Sequence, residues 1–155
     1  MLQVGVDCEA VSRFRRLSFK RKEKFYKRIF THDEIRYCLS SRDPYPRFAA
    51  RFAAKEAAIK ALSEIIKPAY IDIEIIKDSA GRPSVLLSAV ARAKIKRKKP
   101  YIALSITHSR SHAVAFVIVS DSRKVRENAS KIFKEGARAA KNCIFKSSLI
   151  EKASF

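Results

Sequence analysis

The chain has 155 residues, 47% of them hydrophobic, enough for one domain with a core of its own. Its 34 Lys and Arg against 15 Asp and Glu give a formal charge of +19, which points to acidic or phosphorylated partners and says little about fold. Scattered cysteines without CxxC spacing argue against a disulfide framework and a zinc site. An acid at residue seven argues against a signal peptide, and no run is long enough to span a bilayer, so a cytoplasmic protein is expected.

In chain order, Leu2 to Val6 reads as a short buried strand that ends at Asp7. Ala10 to Phe30 reads as one or two helices with Val11, Phe14, Leu17, Phe25 and Ile29 turned inward and a row of Arg and Lys outward. Thr31-His32-Asp33-Glu34 has capping-box spacing and opens a further helix through Ile35, Tyr37 and Leu39. Ser40 to Pro46 breaks it and leads into a central helix, Arg47 to Leu62. That helix holds alanines at every turn and no glycine or proline. Phe48, Phe52, Ile59 and Leu62 form its apolar stripe, and Arg47, Arg51 and Lys55 a second row. Glu56 and Lys60, four apart at the border of the stripe, read in isolation as an ion pair on a solvated flank.

Beyond Pro68, Tyr70 to Ile75 alternates as a half-exposed strand does. Gly81-Arg82-Pro83 is a turn, Val85 to Leu87 a strand, Ala89 to Ile95 a small helix, and Lys96 to Lys99 a basic loop. Tyr101 to His108 and His112 to Val119 form a hairpin with His108 at its mouth. The pattern changes at Asp121. Residues 1–120 therefore read as one domain, an α+β fold with a small antiparallel sheet packed with helices. Residues 121–155 read as a basic extension with a plausible helix from Arg123 to Ala140.

Asp7, Glu56 and His108 each end or edge an apolar element, with Lys60 beside Glu56. Two carboxylates make a hard oxygen site suited to a Mg²⁺ ion that keeps waters and meets substrate phosphates. Lys60, His108 and the basic surplus would offset phosphate charge. No Walker loop, GxGxxG or HExxH is present, so the residues alone lead to phosphoryl-type transfer with the substrate open.

Four blocks narrow it: Gly5-Val6-Asp7; Arg51-Phe52-Ala53-Ala54-Lys55-Glu56-Ala57 with Lys60; Gly81-Arg82-Pro83; and Ser105-Ile106-Thr107-His108-Ser109 followed by Ala113-Val114-Ala115. In this order they resemble the 4′-phosphopantetheinyl transferases, of the short holo-[acyl-carrier-protein] synthase type, over about residues 1–120. The resemblance implies Asp7 and Glu56 as Mg²⁺ ligands and coenzyme A as substrate. It implies Glu56 and Lys60 as catalytic residues, Glu56 in removing the proton of a carrier-protein serine and Lys60 on the transferred phosphate. Arg51, Lys60, His108 and Ser109 would contact coenzyme A, and Arg13 the acidic acyl carrier protein. The resemblance further implies a homotrimer with the site at a subunit boundary, working in fatty acid biosynthesis.

Two other readings compete. The charge alone suits a nucleic-acid-binding module, but the aromatics sit on inferred core faces, which leaves only non-specific affinity. A non-catalytic coenzyme A-binding relative is opposed by the intact Asp7, Glu56 and Lys60.

Overall fold

In the computed structural model, residues 2–95 and 100–120 are described, all within the unit Met1–Asp121. The expected basic loop at 96–99 and the expected extension helix lie outside the described residues. The element order is β1 (Leu2–Ala10), α1 (Val11–Arg16), α2 (Phe19–Ile29), α3 (His32–Leu39), α4 (Tyr45–Leu62), a 3₁₀ turn (Tyr70–Asp72), β2 (Ile73–Lys77), β3 (Pro83–Leu87), α5 (Ala89–Ala93), β4 (Tyr101–His108) and β5 (His112–Ser120). β1, β5 and β4 form an antiparallel sheet in that order, and β2 and β3 pair as a separate hairpin. This is the α+β arrangement expected.

α4 runs across one face of the three-stranded sheet and its alanines decide how closely. Ala53, Ala54, Ala57, Ala58 and Ala61 are buried against the sheet residues Ala115, Val117 and Val119. Small side chains on both sides let backbones approach, and Gly5 marks the nearest point. A Cβ there would lie 1.9 Å from the Ala57 carbonyl oxygen, an overlap no side chain tolerates. The other half of the core is aromatic. Phe14, Tyr26, Phe30 and Phe48 are buried between α1, α2 and α4, with Tyr26 edge-on to Phe48 at 4.6 Å between ring centres.

β3 starts two residues earlier than read, at Pro83, and α5 stops two earlier, at Ala93; three further differences have a physical reason. β1 continues past Val6 to Ala10 because β5 pairs along its full length, so Asp7 sits inside the strand opposite Ala115. α4 begins at Tyr45, since Pro46 falls in the first turn, where a missing N–H costs nothing. Tyr70 to Asp72 is a 3₁₀ turn, closed by Asp72 N–H donating to Ala69 O (3.0 Å) and by the Asp72 carboxylate accepting from Ala69 N (3.1 Å). The alternation of β2 starts only at Ile73.

β1 is also not buried as expected. Its alternation turns Gln3, Gly5, Asp7 and Glu9 toward α4, leaving Leu2, Val4 and Val6 on the outer face, 57%, 53% and 55% exposed in the single chain. The β5 register sets Phe116 opposite Val6 and Ile118 opposite Val4, which continues that apolar face across the sheet.

Candidate active site

Two elements meet at the site. β1 presents Asp7 on its inner face, and α4 presents Phe52, Glu56 and Lys60 at four-residue intervals along one side. The Gly5–Ala57 contact brings the two elements together two residues from Asp7.

The expected Glu56–Lys60 pair does not form. Lys60 reaches across to β1, where its Nζ donates to Asp7 Oδ1 (2.9 Å) and to the Val6 carbonyl (2.9 Å). The bond to Asp7 raises its pKa above the ordinary lysine range, helped by the charges of Asp7, Glu56 and Glu9. Asp7 keeps 15% of its side chain accessible, and its second oxygen, Oδ2, is buried without a hydrogen-bond partner among the described residues. A buried carboxylate oxygen without a donor is costly, and a cation is one partner that would offset the cost. Glu56 takes the Tyr70 hydroxyl on Oε1. Burial first, then Glu56, push the Tyr70 phenol up to about 12, so it remains a donor at neutral pH.

These residues fit a hard divalent ion: two carboxylates on facing elements, one with an orphaned buried oxygen. No group of three or more His, Cys, Asp or Glu gathers among the described residues, so an ion here would take its remaining ligands from water or substrate.

The other predicted residues are placed as follows. His108 ends β4 and is exposed, and Ser109 opens the turn to β5, where its Oγ accepts from the backbone N–H groups of Ser111 and His112 (both 3.2 Å). Arg13 on α1 is bound to Glu9 (2.7 Å) and lies over the Phe52 ring at 5.1 Å. Arg51 points elsewhere. It is buried on the α3 side of α4 with its guanidinium 3.8 Å from the Tyr37 ring centre, and its Nε has no partner. Its contacts therefore do not join it to Asp7, Glu56 or Lys60 within one chain.

Sequence reasoning missed three participants. Glu9, on the same inner face of β1 as Asp7, holds Arg13. Tyr70 was read as a strand residue. Lys55, read as part of a basic row, is wholly buried: its three ammonium protons go to Glu34 (2.8 Å), the Tyr70 carbonyl (2.8 Å) and the Ile73 carbonyl. Burial pulls its pKa below the usual lysine range, and Glu34 opposes that. The signal was local but ambiguous, since a lysine inside a run of alanines reads equally well as exposed.

Comparisons with known proteins identify the family. The model of the family described as 4′-phosphopantetheinyl transferase superfamily matches residues 3–117. A holo-[acyl-carrier-protein] synthase of Thermodesulfovibrio yellowstonii is 41% identical over 117 residues, 76% of this chain and 96% of its own. That of Clostridium tetani is 40% identical over 121 residues, 77% and 95% of the two chains. Among solved structures, the ACPS–CoA complex of Chronobacterium ammoniagenes superposes with a TM-score of 0.67 at 29% identity, covering 79% of this chain and 99% of that one. The Neisseria meningitidis holo-[acyl-carrier-protein] synthase gives 0.68 at 27% identity, over 77% and 98%. With this match across most of its length, the chain belongs to the 4′-phosphopantetheinyl transferase superfamily.

Proposed function

We propose that this protein transfers the 4′-phosphopantetheine group of coenzyme A to a serine hydroxyl of an acyl carrier protein. The serine oxygen bonds to the β-phosphorus, the bond to the bridging oxygen breaks, and 3′,5′-ADP leaves. The observation that carries the reading is the juxtaposition of Asp7, with its orphaned oxygen, Lys60 and Glu56 in a chain of this family. Asp7 and Glu56 would hold a Mg²⁺ ion, which when bound supplies charge neutralisation for the pyrophosphate. Glu56 takes the proton of the attacking hydroxyl. Lys60 places a fixed positive charge where phosphoryl oxygens gain negative charge. His108 and Ser109, exposed at the hairpin mouth, bind phosphate oxygens of coenzyme A.

Arg13 and the exposed Arg and Lys of α1 and α2 give an acidic carrier protein a basic approach surface and raise its association rate. Residues 1–120 form the transferase domain, and residues 121–155 are an addition to it. A homotrimer belongs to the same reading, and the apolar outer face of β1 and β5 offers such an assembly an interface. No described helix is long and apolar enough to cross a membrane; a cytoplasmic location is part of the proposed reading. The surplus charge adds a salt-sensitive, non-specific affinity for RNA.

The test is the intact mass of an apo acyl carrier protein incubated with the protein, coenzyme A and Mg²⁺, with and without EDTA. A gain of one phosphopantetheine that EDTA abolishes is the expected result, and Glu56→Gln removes it with the fold intact. No gain with several carrier proteins would reject the reading.

A further inference from the structure

The contact that the proposed transfer leaves unused is the hydroxyl of Tyr70 on Glu56. Tyr70 lies beyond the end of α4, 14 residues from Glu56, in a turn with no regular ladder to fix it. Two independent contacts do so. Its ring stacks on Phe52, one α-helical step before Glu56, with centres 5.7 Å apart and planes 21° from parallel. Its carbonyl accepts from Lys55 Nζ at 2.8 Å. Lys55 is in turn held by Glu34, whose other oxygen accepts from the Ile75 backbone N–H at 2.9 Å. A buried polar chain thus runs from α3 through α4 to the backbone of the turn, and ends in a phenol aimed at one carboxylate oxygen.

The two carboxylates of the site are treated alike. Lys60 takes one oxygen of Asp7 and Tyr70 takes one oxygen of Glu56. Each is left with a second oxygen that no residue of its partner's element binds. Donors behind ion ligands fix carboxylate rotamers and commonly alter metal affinity about 10- to 100-fold when removed.

We propose that Tyr70 is a positioning residue: its hydroxyl holds one oxygen of Glu56 so that the other faces the ion shared with Asp7. This rests on the reading of Asp7 and Glu56 as ion ligands. In this role Tyr70 acts through Glu56, the carboxylate its hydroxyl binds. The ring is a separate matter, since its stacking on Phe52 contributes packing whether or not the hydroxyl is present.

The test is an Mn²⁺ titration followed by electron paramagnetic resonance, on full-length protein with coenzyme A and no carrier protein, so that no turnover occurs. Tyr70→Phe is expected to weaken Mn²⁺ binding about 10-fold. It should lower kcat while leaving KM for the carrier protein and Tm near those of the parent. Tyr70→Leu is expected to show the same Mn²⁺ loss with an added fall in Tm, which separates the hydroxyl from the ring. Unchanged or tighter Mn²⁺ binding in Tyr70→Phe would overturn the proposal. Glu56→Gln is the control: parent-like Mn²⁺ affinity there would remove Glu56 from the ion, overturning the reading beneath the proposal as well.

Discussion

Lys55 and Lys60 leave the same helix, and each meets a carboxylate at nearly the same distance, 2.8 Å to Glu34 and 2.9 Å to Asp7. Their surroundings are opposite. The Lys55 side chain is 0% exposed and spends all three protons on protein acceptors, while that of Lys60 is 51% exposed with two protein acceptors. The first pair is a fixture: opening it would strand charges in a dry interior. The second is available, because water can replace whatever a substrate displaces. Distance alone does not tell a structural ion pair from a working one; accessibility and spare valence do.

The largest expected effect comes from breaking the dry pair. Lys55→Met leaves Glu34 buried without its partner and should cost about 3–5 kcal/mol in urea unfolding. Adding Glu34→Leu should return part of that loss, because the stranded charge is then gone; no recovery would mean the pair matters for packing and not for charge. Lys60→Met should change stability by about 1 kcal/mol or less yet lower carrier-protein modification by about 100-fold or more. Equal stability losses in the two lysine variants would erase the distinction.

Gly5→Ala comes next, at about 1–3 kcal/mol by overpacking, since the new methyl meets the Ala57 carbonyl. It should also lower kcat, by shifting β1 and with it Asp7 away from Lys60. Stability lost with kcat unchanged would show that the site tolerates the separation.

The last and most gradual effect sharpens the dry side by pH. Burial pushes the Cys38 thiol from 9.0 up to about 12. Its raised folded pKa contributes stability that is fully present below the unfolded pKa. That contribution is lost as pH climbs from about 9 toward 12, because the unfolded chain then releases its proton first. The slope for one such group is about 1.4 kcal/mol per pH unit. Cys38→Ala should flatten this part of an alkaline unfolding series, and an unchanged slope would assign it to the buried tyrosines.

What was legible in the sequence follows the range of the interactions. The Thr31 capping box forms as read, with Glu34 N donating to Thr31 Oγ1 (3.2 Å) and Thr31 N to Glu34 Oε2 (2.9 Å), because both partners lie within four residues. The β4–β5 hairpin with His108 at its mouth was equally local. The second task of Glu34, binding Lys55 and the Ile75 amide, was invisible because it joins three elements distant in sequence. Lys60 misled for the same reason. The four-residue rule offered Glu56, but Asp7, across the sheet contact, supplies the acceptor. Tyr70 deceived by pattern, since alternation continued into a turn whose shape is set by Asp72 and by the lysine beneath it.

The Gly5–Ala57 contact has a consequence for what kinds of sequence change this protein can absorb. It acts as a common origin from which two different rulers are read. Asp7 stands one strand repeat away, about 6.6 Å, and Lys60 three helical residues away, about 4.5 Å. Substitutions along either ruler leave its divisions in place. A single inserted residue between Gly5 and Asp7 would turn the acid to the opposite face of the sheet. One between Ala57 and Lys60 would rotate the lysine by about 100°. The spacings Gly-x-Asp and Ala-x-x-Lys therefore act as indivisible lengths: the residues between the named ones can change in kind, and their number cannot.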